Sequence, residues 1–281
     1  MSKLYVLGDS WSWGWNTPSP KNNHHRSFKQ NMSRVLADRL GLELVNDSLP
    51  GNSFPQITQQ FFRRVSQHLT PTDVVFLCVP PDIRWHCAVV PGSNKGKGRR
   101  WSEQADADED TTSVLFGTNG AQYNERLVRP NHILQKEALS TLELEILQQN
   151  HNLYWFKYHT SMQLTALSSW AKLHHANVFA QHNYGSLDDL CDFADTSIVL
   201  DPEHSMWEWM GLPKHELLAS ANQDGINAVV LGDETFHASY MKMADKLLHS
   251  ADGAGLDWHP NRQSQMDIGN KLYELCNQRM G

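Results

Sequence analysis

The stretch Leu4-Tyr5-Val6-Leu7-Gly8-Asp9-Ser10 decides how the rest of the chain is read. A short apolar run bounded by turn residues is the pattern of a buried strand ending in a tight turn. Gly8 permits the turn, and Asp9 can accept hydrogen bonds from loop amides and hold it. Ser10 then stands at the carboxyl end of a strand. In an open parallel sheet, that edge is where ligands bind.

Further along, apolar spacing alternates between strand and helix. Trp11 to His25 is rich in Asn, Pro and Ser and is expected to be a loop. Phe28, Met32, Val35, Leu36 and Leu40 repeat at helical spacing, with Gly41 as a C-terminal stop. Leu42–Asn46 is a second strand, and Asp47–Ser53 a loop. Ile57, Phe61, Val65 and Leu69 mark another amphipathic helix. Asp73 opens a third strand, Val74–Val79. Alternation of this kind argues for a parallel sheet with helices on both faces.

The pattern breaks after Pro80-Pro81. Residues 91–112 carry a basic run (Lys95–Arg100) and then an acidic one (Glu103–Asp110), which reads as a solvated loop. Helical spacing returns at Leu134, Ala138, Leu142 and Ile146, and again over Trp155–His175. Asn177–Gln181 is a fourth strand, and Ser197–Leu200 a strand end or a loop. Short helices are expected at Ser205–Met210 and Leu212–Ala221. Ile226–Leu231 fits either a fifth strand or the packed end of a helix. Phe236–Leu248 reads as helical, and Ile268, Leu272, Leu275 and Cys276 share one face of a terminal helix. The expected organisation is one domain over 1–281, with the charged loop at 91–112 and a mostly helical insertion at about 130–220.

Composition narrows the function. The 281 residues carry a net charge of −7, with 40% hydrophobic and 20% charged residues. No basic stripe points to a nucleic-acid partner. The longest apolar run, Val74–Pro81, is far below the ~20 residues of a membrane span. Nothing near Leu4–Leu7 resembles a secretory leader, so a cytoplasmic location is expected. Cys78, Cys87, Cys191 and Cys276 are scattered, which indicates neither a disulfide framework nor a zinc finger. The fifteen histidines include the adjacent pairs His24-His25 and His174-His175, but neighbours in sequence do not face one another. No metal site and no cofactor are expected. The ten tryptophans suit sugar rings as well as a core. Trp11, Trp13 and Trp15 would form an aromatic wall beside Ser10 if that stretch were extended.

A serine hydroxyl is a weak nucleophile without a neighbouring base. The other end of the chain offers one in Asp257-Trp258-His259-Pro260. An imidazole there takes the serine proton, and a carboxylate two residues earlier orients the ring.

The order Leu4–Ser10, then Asn46–Ser53, then a strand after Asp73, then Asp257–Asn261 resembles the SGNH (GDSL-like) hydrolase superfamily. The resemblance covers roughly residues 3–85 and 225–280. It is closest in pattern to phage-associated and bacterial members, with a Gly-Asp-Ser-aromatic-x-aromatic-Gly start. Those also carry a Pro-x-x-Arg element like Pro81–Arg84 and a Ser-Met-aromatic-Glu-aromatic element like Ser205–Trp209. It implies a flavodoxin-like α/β/α sandwich around a parallel sheet. It implies Ser10 as nucleophile, Asp257 and His259 as its base pair, and the N–H groups of Gly51 and Ser10 as an oxyanion hole.

Two departures stand out. Asp82 falls where the family's third block supplies asparagine, and losing one oxyanion donor typically costs ~2.7–4 kcal/mol of transition-state stabilisation. Asn52, beside Gly51, is the candidate replacement donor. The acid also lies two residues before the histidine, not three; an extended backbone brings such residues to one side. Arg84 is a candidate partner for an anionic substrate group or for the acidic loop. The activity implied is a serine esterase acting on an O-acyl ester, O-acetyl among them, of a carbohydrate or other polar substrate. The alternatives are an acyltransferase using the same site and a non-catalytic module that binds a glycan or a protein.

Overall fold

The computed structural model describes residues 1–14, 31–48, 52–80, 84–88, 111–117, 129–133, 153–183, 190–212, 219–222, 225–228, 246–251 and 255–281. The first part of the chain forms β1 (Lys3–Leu7), α1 (Ser10–Trp13), α2 (Met32–Leu40), β2 (Glu43–Asn46), α3 (Phe54–Gln60) and β3 (Val74–Val79). Next come β4 (Arg84–Ala88), β5 (Thr111–Gly117), β6 (Arg129–Ile133), α4 (Leu153–His174), β7 (Asn177–His182) and α5 (Met206–Trp209). The last part holds β8 (Ala219–Asn222), β9 (Gly225–Ala228), β10 (Leu248–Ala251), β11 (Gly255–Pro260) and α6 (Arg262–Met280).

Among the described residues, four strands pair in parallel in the order β2-β1-β3-β7. Val199 adds a further parallel bridge beside Ala180. The expected α/β/α sandwich is what the strands and helices make. Along β3, Val74, Phe76 and Cys78 enter one core, with Leu4, Val6, Leu36, Ile268 and Leu272. Val75, Leu77 and Val79 enter the other, with Phe54, Ile57, Phe61, Leu164 and Leu167. Period-2 alternation in a strand buried on both faces therefore supplies two cores at once. α2 and α6 cover one face, α3 and α4 the other.

Strand order reverses beside β1, because β2 lies on one side of it and β3 on the other. This is the switch point of a doubly wound sheet, and it leaves a crevice at the carboxyl end of β1. Asp73 sets the opposite end of the sheet. It accepts from the backbone N–H of Lys3 at 2.7 Å and of Thr70 at 2.8 Å, which ties the starts of β1 and β3 together. Burial alone would raise the Asp73 carboxyl, but the backbone bonds from Thr70 and Lys3 outweigh it and hold it below its ordinary value.

Local signals act as expected at several ends. Gly41 closes α2 in the left-handed region, at φ 68°. The four-residue spacing of Ile57, Phe61 and Val65 drifts about 40° per step on a regular α-helix. A π-helical turn at Phe61–Val65 follows α3, and all three side chains remain buried. Leu69 lies beyond that turn but still packs on the same core.

Other expectations fail. Trp11–Trp13 is helical, not loop: Asp9 caps the turn and Gly14 closes it. Ala219–Ala221 lies in a strand, not a helix, paired antiparallel with β9. Ile226 is in β9, which joins that two-stranded ribbon and not the central sheet. Leu248 is a strand residue of β10. Thr111 and Thr112 belong to β5, in an antiparallel sheet with β4 and β6. Where these segments are strands, pairing overrides local helical or loop character, with the next strand in sequence for β8–β9 and β10–β11 and across a longer stretch of chain for β4–β5. The rest of the charged loop, the helical spacing from Leu134 to Ile146, and Trp15 lie outside the described residues. Among the described residues, no helix is long and apolar enough to cross a membrane.

Gly269 shows how close the helix layer lies. A Cβ there would sit 2.7 Å from Val35 Cβ and 2.9 Å from the Met32 carbonyl oxygen. Gly269→Ala should lower stability by about 1–3 kcal/mol through overpacking, although alanine is the better helix former. Urea unfolding of the two proteins checks this; equal or raised stability would show that α2 and α6 have room to part.

Candidate active site

β1 delivers the chain to the switch point with almost no clearance. A Cβ on Gly8 would lie 2.6 Å from Cys78 Cβ on β3 and would collide with Ser12 Oγ. Only glycine fits that close approach. Asp9 follows in extended conformation and caps α1, its Oδ1 accepting from Trp11 N–H at 3.0 Å. Gly14, at φ 86°, closes the turn with N–H bonds to the carbonyls of Ser10 and Trp11. Ser10 is thereby held as the first residue of a short rigid helix, 8% exposed.

His259 comes from the opposite end of the chain. Its Nε2 lies 2.8 Å from Ser10 Oγ, across 249 residues of sequence. Three devices hold it there. Pro260, buried, ends the strand. Asn261 caps α6 through Ser264 N–H at 3.0 Å and donates to the Lys246 carbonyl at 2.6 Å. Gln265, fully buried on α6, donates to the Trp11 carbonyl and accepts from Met32 N–H at 3.0 Å. Gln265 thus fastens the helix that follows the histidine to the turn that carries the serine.

Asp257 lies with His259 in β11. The pairing with β10 is irregular: Ser250 opposes Leu256, while Leu248 opposes Pro260. One residue of β10, at 249, therefore faces three on β11, and this bulge falls at Asp257–His259. Bulges of this kind re-aim side chains. The Asp257 side chain, Gly51 and Asp82 lie outside the described residues. Arg84 opens β4 opposite Leu115, and its side chain likewise lies outside them.

Two candidates stand elsewhere than expected. Trp11 is not a substrate wall; it is 1% exposed and tilts against Trp207 in the core, with ring centroids 6.3 Å apart. Trp13 is also buried. Helical winding turns both rings inward, where an extended chain would have aligned them at the surface. Asn52 lies beneath the turn. Its Nδ2 donates to the Gly8 carbonyl at 3.0 Å and to Gln60 Oε1 at 3.2 Å. An amide has two donors. Both have acceptors here, so donation to an oxyanion requires release of the longer bond to Gln60.

Asn183, just past β7, is a residue the sequence did not single out. It is fully buried, and its Nδ2 donates to Asp9 Oδ1 at 2.9 Å. The Cys78 thiol donates to Asn183 Oδ1 at 2.7 Å. Burial, and then the Asp9 charge, push that thiol well above its ordinary pKa, so it remains a donor. The only sequence signal was a polar group ending an apolar strand.

His182, the last residue of β7, is buried with its Nε2 unpartnered. Burial lowers its pKa from 6.5 to about 4.

No family model matches the sequence, and no curated protein matches it. Solved structures resemble the chain over nearly its whole length at low identity. A putative lipolytic protein of the G-D-S-L family from Desulfitobacterium hafniense is 13% identical, covering 98% of this chain and 99% of its own, at a TM-score of 0.35. The psychrotrophic esterase EstA from Pseudoalteromonas sp. is 12% identical, covering 100% and 99%, at 0.41. Est24, a carbohydrate acetylesterase from Sinorhizobium meliloti, is 12% identical, covering 100% and 99%, at 0.38. Likeness at that level transfers neither a residue's role nor a substrate.

The buried imidazole has a consequence for acid stability. Above pH 6.5, His182 is neutral in both folded and unfolded chains and contributes nothing. As pH falls from 6.5 towards about 4, the unfolded chain takes a proton that the folded one refuses. Stability then falls by up to about 1.4 kcal/mol per pH unit, and the loss levels off below the folded pKa. His182→Leu should flatten that limb in urea unfolding measured across the window. Parallel curves for the two proteins would refute the assignment.

Proposed function

We propose that the protein is a serine hydrolase that cleaves an O-acyl ester, with Ser10 as nucleophile and His259 as general base. One observation carries the reading: the 2.8 Å contact between His259 Nε2 and Ser10 Oγ. A nucleophile and a base within hydrogen-bond reach are what acyl transfer through a serine requires. The contact lies at the switch point of a parallel sheet, where such folds bind ligands.

In the reaction proposed, Ser10 Oγ attacks the acyl carbon while His259 Nε2 takes its proton. The tetrahedral intermediate collapses, the C–O bond to the alcohol breaks, and His259 returns the proton to the departing oxygen. Water then attacks the acyl-serine by the same route, releasing the acid and restoring Ser10. Asp257 orients the imidazole and stabilises its charged form. The N–H groups of Ser10 and Gly51 receive the oxyanion, with Asn52 as a third donor once Gln60 lets go. The substrate proposed is an O-acyl, and specifically an O-acetyl, ester of a carbohydrate or another polar alcohol.

The test uses a fluorophosphonate probe and turnover of p-nitrophenyl acetate. Wild-type protein should label and turn over. Ser10→Ala should abolish labelling, and both Ser10→Ala and His259→Ala should lower kcat at least about a thousand-fold. A wild-type protein that neither labels nor turns over, yet binds a glycan, would leave the non-catalytic reading. Acyl transfer to an added sugar alcohol in preference to water would make it an acyltransferase.

A further inference from the structure

We infer that Asn183 is a positioning residue for Ser10, acting through Asp9. The inference rests on the reading of Ser10 as nucleophile. Its basis is the way Asn183 is held. All four of its polar groups are engaged. Its N–H donates to the Val79 carbonyl at 2.9 Å, and its carbonyl accepts from Trp207 N–H at 3.0 Å. Its side-chain oxygen accepts from the Cys78 thiol at 2.7 Å, and its side-chain nitrogen donates to Asp9 Oδ1 at 2.9 Å. The residue therefore ties together the ends of β1, β3 and β7, the three strands that meet at the site.

The chemistry of the two neighbours dictates an amide. Asp9 needs a donor, because an ionised carboxylate only accepts. The thiol needs an acceptor. An asparagine side chain offers one of each on a planar group. Two N–H donors then converge on Asp9 Oδ1, one from Asn183 Nδ2 and one from Trp11 N–H, and the Cys78 sulfur lies 3.9 Å from the same oxygen. The first holds the carboxylate in place, and the second transmits that position to the turn that starts at Ser10. A second route runs through Trp207. Asn183 accepts from its N–H, and its ring packs on Trp11, the residue after Ser10. A displacement at Asn183 thus reaches the serine from both the capping side and the packing side.

Near-attack geometry is sensitive to small shifts: a misplacement of about 1 Å costs on the order of 100-fold in rate. Asn183→Asp places a second carboxylate against Asp9, and both are buried. Asn183→Ala instead removes the donor to Asp9 Oδ1 without adding a charge.

The experiment compares wild type, N183D and Asn183→Ala, each assayed well below its own Tm so that all are folded. The readouts are the rate of fluorophosphonate labelling, and kcat and KM with p-nitrophenyl acetate. N183D should lose on the order of 100-fold in kcat and labelling rate, with KM within about two-fold of wild type. If N183D does not fold, Asn183→Ala, which adds no charge, should show the same loss in kcat at unchanged KM. Wild-type rates in the two variants, or a loss carried by KM, would overturn the role of Asn183 alone. A wild-type protein that neither labels nor turns over would remove the hydrolase reading and this inference with it.

Discussion

The site depends on how closely β1 passes β3 at Gly8. The virtual Cβ there would lie 2.6 Å from Cys78 Cβ, so the backbone of β1 rests against that side chain with no room for one of its own. That contact brings Asp9 within reach of the groups at the ends of β3 and β7. A buried carboxylate is costly unless its oxygens are hydrogen-bonded, and Asp9 meets that demand with the Trp11 amide and the Asn183 side chain. The turn that presents Ser10 is therefore built from below, out of the core. Its residues have little freedom to adopt any other arrangement.

The second half of the site is built from a different direction. His259 arrives on β11, and the helix that follows is capped by Asn261 and fastened by Gln265 to α1 and α2. The contact between α2 and α6 at Gly269 sets the depth of that helix. Serine and histidine are thus mounted on two elements locked by buried polar groups and close packing. A short Oγ to Nε2 distance survives only on such mounts, since loops alone would let it wander.

Much of the fold was legible because it is encoded locally. Leu4–Leu7 and Val74–Val79 announce buried strands by their apolar runs, and both pair where the alternating pattern requires. Gly41 announces a helix end, and it adopts the left-handed backbone that makes it one. The face shared by Ile268, Leu272 and Cys276 is buried. The ribbon at Ala219–Ala228 and the sheet at Arg84–Ile133 were not legible. The sheet pairs strands that are well apart in the chain, the ribbon pairs two short neighbouring strands, and no local period signals either.

The sequence by itself determined the alternation of strand and helix and the tight Gly-Asp-Ser turn. It also determined which serine and which histidine to compare. These follow from short-range rules: side-chain period, capping and turn sterics. Only the tertiary structure decided the rest. It wound Ser10–Trp13 into a helix and so sent Trp11 into the core, away from the substrate side. It engaged both protons of Asn52 beneath the turn, and it brought Asn183 under Asp9 across 174 residues. Those outcomes depend on which groups meet after the layers pack, where every buried donor and acceptor must find a partner. A linear sequence does not record those meetings.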